Sequence, residues 1–166
     1  MLIGAEYEPI AYLGSQLVNG TNHAVLAKQT VLAGKDTTNV VVLIFNEKGM
    51  DCSLVNIERV VESGAPLGGT KIDVQTTLST EMKQIWDTAL SDFVGANITP
   101  IASLGTQVTK GTNYIFVATV APVTPNPVQK VAIVTVNPMT KDVFFADLLE
   151  TNQAASLGYA FSWLRG

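Results

Sequence analysis

Apolar residues recur at two different spacings along the chain, and each spacing predicts a different element. Between residues 79 and 95 they return every three to four positions, which predicts a helix with one apolar stripe. Ser79 is predicted as the N-cap, Glu81 suits the positive end of the helix dipole, and Gly95 is expected to end the helix. The stripe contains Met82, Ile85, Trp86, Ala89, Leu90 and Phe93.

Runs rich in Val, Ile, Thr and aromatic residues follow this helix and predict four strands. They cover about residues 99–110, 112–121, 129–137 and 142–150, and turn residues separate them. The same four runs occur earlier in the chain, where Asn19-Gly20 separates the first two. Asn-Gly between apolar runs is a strong hairpin signal, because both positions tolerate a positive φ.

The chain repeats itself at an offset of 91 residues, with Leu2 aligned on Phe93. The alignment continues without a gap to Arg59 on Glu150. Identical residues include the pairs Pro9 and Pro100, Gly14 and Gly105, Gln16 and Gln107, Gly20 and Gly111, and Asn46 and Asn137. A repeat of this length indicates two homologous modules, so we predict modules at 1–62 and 76–151, a linker at 63–75 and a tail at 152–166.

The predicted fold class is α+β, with each module a four-stranded antiparallel sheet wrapped on a helix. The first module begins where the second helix ends, so it lacks an N-terminal helix of its own. The tail places Leu157, Ala160, Phe161 and Leu164 at helical spacing, but an extended tail fits the sequence equally well. Either the tail or a neighbouring molecule is expected to cover the first sheet.

Composition limits the classes of function. Hydrophobic residues make up 47% of the chain and charged residues only 14%, which favours extensive burial, partly against other subunits in a homo-oligomer. The net charge of −4 and the lack of a basic run argue against nucleic acid and anionic membranes as partners. No apolar run reaches 18 residues and the start lacks the features of a signal peptide, so no localisation is predicted.

Catalytic and metal-binding signatures are missing from the sequence, so an enzyme, a metal and a cofactor are not expected. His23 is the sole histidine and aligns with Tyr114, which favours packing over catalysis. Cys52 is the sole cysteine and aligns with Val143, which predicts a small buried residue.

The first hairpin motif occurs in both modules. "QLVNGTN" spans Gln16 to Asn22, and "QVTKGTN" spans Gln107 to Asn113. The first copy fits the Gln-x-Val-x-Gly signature of the cystatins, and the second resembles it with Thr in place of Val. A helix followed by a four-stranded meander is also similar to the cystatin order.

The resemblance implies a non-enzymatic inhibitor of papain-type cysteine proteases, which blocks the active-site cleft by steric occlusion. In that family a second hairpin loop carries Pro-Trp, and here its position is taken by Pro138-Met139. The predicted protein-binding residues are Gln16, Leu17, Val18, Asn19, Gly20, Gln107, Val108, Thr109, Lys110, Gly111, Pro138 and Met139. The alternative is a structural or assembly protein, such as a subunit of a virion or a cell-surface array, whose partners are neighbouring subunits.

Overall fold

Strands make up most of the protein. A computed structural model describes residues 4–17, 19–32, 37–64, 69–126 and 129–150. Most of these residues lie in strands, and ten lie in a helix. They divide into two units, the first ending at Ser63 and the second spanning Gly64–Glu150. The tail predicted at 152–166 lies outside the described residues.

Each unit contains one antiparallel sheet whose strands follow chain order. The first sheet consists of β1 (Ala5–Leu17), β2 (Thr21–Val31), β3 (Thr37–Lys48) and β4 (Asp51–Glu62). The second consists of β5 (Thr70–Gln75), β6 (Ala96–Thr109), β7 (Gly111–Pro122), β8 (Lys130–Val136) and β9 (Val143–Glu150). One helix, α1 (Thr80–Ala89), connects β5 to β6.

The sequence repeat is visible in the irregularities of the strands. Pairing of β1 with β2 shifts between Pro9 and Ala11 and again between Tyr12 and Gly14. The same two shifts occur between β6 and β7, at residues 100–102 and 103–105. A bulge increases the local twist of a strand and changes the direction of the side chains that follow it. The first hairpins of the two units are therefore expected to twist alike.

The core of the first unit is aliphatic. Ala27, Val41 and Leu43 form a buried cluster, against which Tyr7, Phe45, Leu54 and Ile57 pack. Val40, Val41 and Val42 are all fully buried, although consecutive side chains of a strand point to opposite faces. Both faces of β3 are therefore covered.

In the second unit, α1 packs on one face of the sheet. The buried residues of this cluster are Trp86, Ala89, Phe116, Ala118, Ala132, Val134 and Val136. The ring centroids of Trp86 and Phe116 lie 4.9 Å apart in an edge-on arrangement. Ser79 caps the helix by accepting a hydrogen bond from the Met82 amide, at 3.2 Å, which confirms the predicted N-cap.

The predicted α+β class, with two cystatin-like modules each wrapped on a helix, is wrong. Two antiparallel sheets account for nearly all regular structure, and α1 is only ten residues long. The predicted stripe continues to Phe93, but the helix stops at Ala89 with Leu90 as its C-cap, so Gly95 does not end it. In addition, β5 lies inside the segment predicted as linker, and it gives the second unit five strands rather than four.

Removing the hydroxyl of Ser103 is expected to stabilise the second unit. Ser103 is buried in β6, and its Oγ has no hydrogen-bond partner. A buried polar atom without a partner costs about 1–3 kcal/mol, so Ser103→Ala should raise the free energy of unfolding by about 1 kcal/mol. Urea unfolding measures the change, with exposed Ser53→Ala as the control. A lower free energy of unfolding for Ser103→Ala would contradict the conclusion that the Ser103 hydroxyl is buried without a hydrogen-bond partner.

Candidate protein-binding hairpin tips

The two hairpins of the first sheet turn at the same end of the sheet. In an antiparallel meander the first and third turns lie on one side, and here the register pairs Thr21 with Glu47. Lys48 pairs with Asp51 around the third turn, between β3 and β4. We name this end tip 1, and it consists of Leu17, Asn19, Gly20, Lys48 and Met50.

The first turn of tip 1 requires glycine. Asn19 and Gly20 have φ values of 38° and 103°, in the region that glycine tolerates best. A Cβ atom at Gly20 would lie 2.6 Å from the carbonyl oxygen of Glu47, so the two hairpins approach each other closely at this point. Lys48 also bridges the hairpins, because its Nζ donates a hydrogen bond to Asn19 Oδ1 at 3.1 Å.

Asn46 ties the two hairpins of tip 1 together. Its Nδ2 donates to Asn22 Oδ1 at 2.9 Å and lies 3.5 Å from the carbonyl oxygen of Asn19. Asn22 is the last residue of the repeated "GTN" sequence. That asparagine therefore accepts a hydrogen bond from the neighbouring hairpin, which explains its position after the turn.

The second unit contains the same arrangement, again centred on one asparagine. Asn137 Nδ2 donates to Asn113 Oδ1 and to the carbonyl oxygen of Lys110, both at 3.0 Å. Asn137 Oδ1 also accepts hydrogen bonds from the backbone amides of Met139 and Thr140, at 3.0 and 3.1 Å. We name this end tip 2, and it consists of Val108, Lys110, Gly111, Pro138 and Met139.

The second hairpin of tip 2 is also fixed to the helix. Lys141, at φ 66°, donates from Nζ to the carbonyl oxygen of Thr88 at 2.6 Å and to Ser91 Oγ at 3.2 Å. The last carbonyl groups of a helix lack partners within the helix, so this lysine satisfies one of them. The hairpin that carries Met139 is thereby held at both of its ends.

Both tips present aliphatic side chains to solvent. Leu17 is 84% exposed and Met50 fully exposed at tip 1, and Val108 and Met139 are each 64% exposed at tip 2. Each tip thus has one aliphatic residue from its first hairpin and one methionine from its second. A single exposed aliphatic residue is ordinary on a protein surface. Leu17 and Val108, however, are equivalent positions of the repeat, so both units expose an aliphatic residue at the same place.

The structure divides the predicted binding residues by exposure. Leu17, Asn19, Val108, Thr109, Lys110, Gly111 and Met139 are exposed, and Gly20, Gln107 and Pro138 are half-buried. Gln16 is buried, so its side chain is not part of the exposed surface of tip 1. Val18 lies outside the described residues.

Sequence reasoning missed Met50 and the roles of Asn46 and Asn137. The segment "NEKGM" lacks a Pro-Trp pair, yet Gly49 at φ 63° marks a tight turn that leaves the next side chain in solvent. The identity of Asn46 and Asn137 across the repeat was the available signal for the hydrogen bonds that join the hairpins.

His23 takes part in a polar contact below tip 1. A hydrogen bond of 2.7 Å joins the Tyr12 hydroxyl to His23 Nδ1, and His23 Nε2 lies 3.7 Å from Glu47 Oε1. His23 thus makes polar contacts, and the choice of packing over catalysis for this residue stays a prediction. Cys52 is exposed, so the prediction that it is buried is wrong.

Comparisons with known proteins do not assign the chain to a family. No family model matches the sequence, and no curated protein or solved structure matches it either. The resemblance to the cystatins therefore stays a prediction from the repeated hairpin motif. Within the described residues, no helix is long and apolar enough to cross a membrane.

Proposed function

We propose that the protein is a non-enzymatic binding protein whose two tips contact a protein partner. The partner that we propose is a papain-type cysteine protease, whose active-site cleft the tips occlude. The observation that carries the proposal is the pair of exposed aliphatic side chains at each tip, on hairpins tied together by asparagine. Such a surface can block a cleft without any chemistry of its own.

Physical chemistry favours these tips as contact surfaces. Burying an exposed Leu, Val or Met side chain in a partner is worth about 1.5–3 kcal/mol. Binding also has an entropic cost when loops become ordered, and this cost is smaller for loops that hydrogen bonds already hold in place. The asparagine bonds of both tips, and the Lys141 bonds of tip 2, supply this order before binding.

The repeated Gln-x-x-x-Gly sequence supports a papain-type protease as the partner. With Gln16 buried, the contact at tip 1 falls to Leu17 and the turn beyond it rather than to the glutamine. The matching positions of tip 2 are Val108 and its turn. Inhibition would thus depend on the aliphatic residue after each glutamine.

The first experiment is a titration of papain with the purified chain, measuring residual hydrolysis of a small peptide substrate. We expect inhibition at micromolar concentrations of the chain. A full rate of hydrolysis at those concentrations would reject papain as a target and would count strongly against occlusion of this protease class.

Placing a charge on both tips is expected to weaken inhibition. Leu17→Glu with Val108→Glu would force a carboxylate into an apolar contact, so the inhibition constant should rise at least about tenfold. The matched control is Leu32→Glu with Val123→Glu, because these residues are also equivalent in the repeat and are 46% and 67% exposed. They follow β2 and β7 at the opposite ends of the sheets. Equal inhibition by the two double variants would exclude the tips as the contact surface.

A second candidate function is assembly with further copies of the chain, and one observation favours it. Within the described residues β9 is the last strand of its sheet, and it exposes both Phe144 and Phe145. An edge strand has unpaired backbone groups and can add a strand from another molecule. Exposed phenylalanine on such an edge increases the apolar area available for pairing.

Mass measurement in solution separates the two candidates. Light scattering across a concentration series should show a monomer if the tips are the functional surface. An oligomer that Phe144→Lys converts to monomer, from a chain that does not inhibit papain, would favour assembly. Phe144→Lys is expected to leave papain inhibition unchanged if the first candidate is right, because residue 144 is not part of either tip.

A further inference from the structure

The second unit contains a cleft that the tips do not use. It lies between the last turn of α1, the turn that follows and the start of β6, and it has a volume of about 380 Å³. Clefts of about 300–1,000 Å³ are typical of sites for small molecules. Its walls include Trp86, Asp87, Leu90, Phe93, Asn97 and Ile98.

The charge of this cleft is negative. Asp87 is the ionisable residue among those that line it, and within the described residues its carboxylate makes no salt bridge. The last turn of α1 has no basic residue, and the C-terminal end of a helix carries a partial negative charge. Lys141 offsets part of that charge through Thr88, but it does not line the cleft.

The walls of the cleft suit a cation that has an apolar body. Phe93 provides a half-buried aromatic ring, and a cation near the face of such a ring is attracted to its π electrons. Trp86 lines the cleft only with the small part of its side chain that is exposed, 6%. Leu90 and Ile98 add aliphatic surface, and Asn97 adds an amide. Asp87 is exposed, and its charge would repel an anion, whereas a neutral molecule would gain nothing from that charge.

We propose that this cleft binds a small organic cation, with an ammonium group directed to Asp87 and an apolar body against Trp86 and Phe93. The site belongs to the second unit and does not depend on the function proposed for the tips.

Three probes of similar shape test the charge preference: benzylamine, benzyl alcohol and phenylacetate. The experiment uses the Trp163→Phe variant, in which Trp86 is the only tryptophan. Binding is followed by the ¹H–¹⁵N chemical shifts of the Trp86 indole and of the backbone amides of residues 86–99. Benzylamine should give saturable shifts there, and benzyl alcohol and phenylacetate should bind at least about fivefold more weakly.

Variants then identify the carboxylate. Asp87→Asn should weaken benzylamine binding at least about fivefold and leave benzyl alcohol binding unchanged. Asp73→Asn, the same change at an exposed residue of β5 outside the cleft, should alter benzylamine binding less than about twofold. Trp86 belongs to the core of the unit and is left in place. Equal binding of benzylamine and benzyl alcohol, no saturable shift, or an Asp87→Asn variant that binds like the parent would overturn the proposal.

Discussion

Replacing Gly105 with alanine is expected to lower the free energy of unfolding of the second unit by about 3 kcal/mol. Gly105 lies in β6 and pairs with Ile72 of β5. A Cβ atom at this position would lie 2.2 Å from the carbonyl oxygen of Lys71 and 3.1 Å from the Cα of Ile72. Both are backbone atoms and cannot rotate away, so β5 must separate from β6.

Two measurements check this prediction. Urea unfolding followed by the fluorescence of Trp86, in the Trp163→Phe background, gives the loss in free energy. Hydrogen exchange should show that amides of Thr70–Gln75 lose protection first, because β5 takes up the clash.

Gly111→Ala is the matched control. Gly111 has a φ of 83°, and an added Cβ there would meet side-chain atoms rather than backbone, at 3.1 Å from Met139 Sδ, 3.3 Å from Met139 Cβ and 3.5 Å from Asn137 Oδ1. We expect a loss of about 1–2 kcal/mol from the unfavourable φ. If Gly105→Ala loses no more unfolding free energy than Gly111→Ala, the close packing of β5 against Gly105 is contradicted.

The same glycine shows what a sequence repeat can and cannot predict. Gly14 and Gly105 are identical across the repeat, and the alignment correctly indicates equivalent strands. The structure adds that these strands carry bulges at equivalent positions. The sequence does not show that a fifth strand lies against Gly105. Thr70–Gln75 is short and follows a glycine-rich stretch, so its local pattern resembles a linker.

The helix was predictable at its start and not at its end. Ser79 and the apolar stripe are local signals; the N-cap agrees with the structure, and so does the part of the stripe that lies within Thr80–Ala89. At the end, Lys141 from a distant hairpin donates to the Thr88 carbonyl, a contact that the sequence near residue 90 does not show. The helix stops at Ala89, so the predicted helix is too long.

At the tips, the turns were predictable and the direction of the side chains was not. Asn19-Gly20 identifies the turn by its backbone preference. Which of Gln16 and Leu17 faces solvent depends on the two bulges earlier in β1, since each bulge alters the alternation of faces. Both residues were therefore predicted to bind a partner, whereas the structure buries the glutamine and exposes the leucine.

Asn137→Ala is expected to cost about 3 kcal/mol of unfolding free energy and to loosen tip 2. The side chain is buried and makes four hydrogen bonds, two as donor and two as acceptor. Alanine would leave Asn113 Oδ1, the Lys110 carbonyl and the amides of Met139 and Thr140 without these partners. Each buried group that loses its partner carries a desolvation cost, although water reaches the exposed part of the hairpin and reduces the total.

A double-mutant cycle with Asn113→Ala separates the side-chain bond from the backbone bonds. The coupling between the two changes should be about 1 kcal/mol, which leaves most of the loss to the bonds with Lys110, Met139 and Thr140. Asn126→Ala, at an exposed residue of the β7–β8 loop, should stay within about 0.5 kcal/mol of the parent.

The same variant tests whether order at tip 2 matters for binding. If Met139 must be held in place before it meets a partner, Asn137→Ala should weaken partner binding under conditions in which the variant remains folded, because ordering the hairpin then becomes a cost of binding. Asn126→Ala should leave binding unchanged. An Asn137→Ala protein with parental stability would contradict the hydrogen-bond assignment. A variant that is destabilised but folded, and that binds its partner with parental affinity, would show that preorganisation of tip 2 does not contribute to binding.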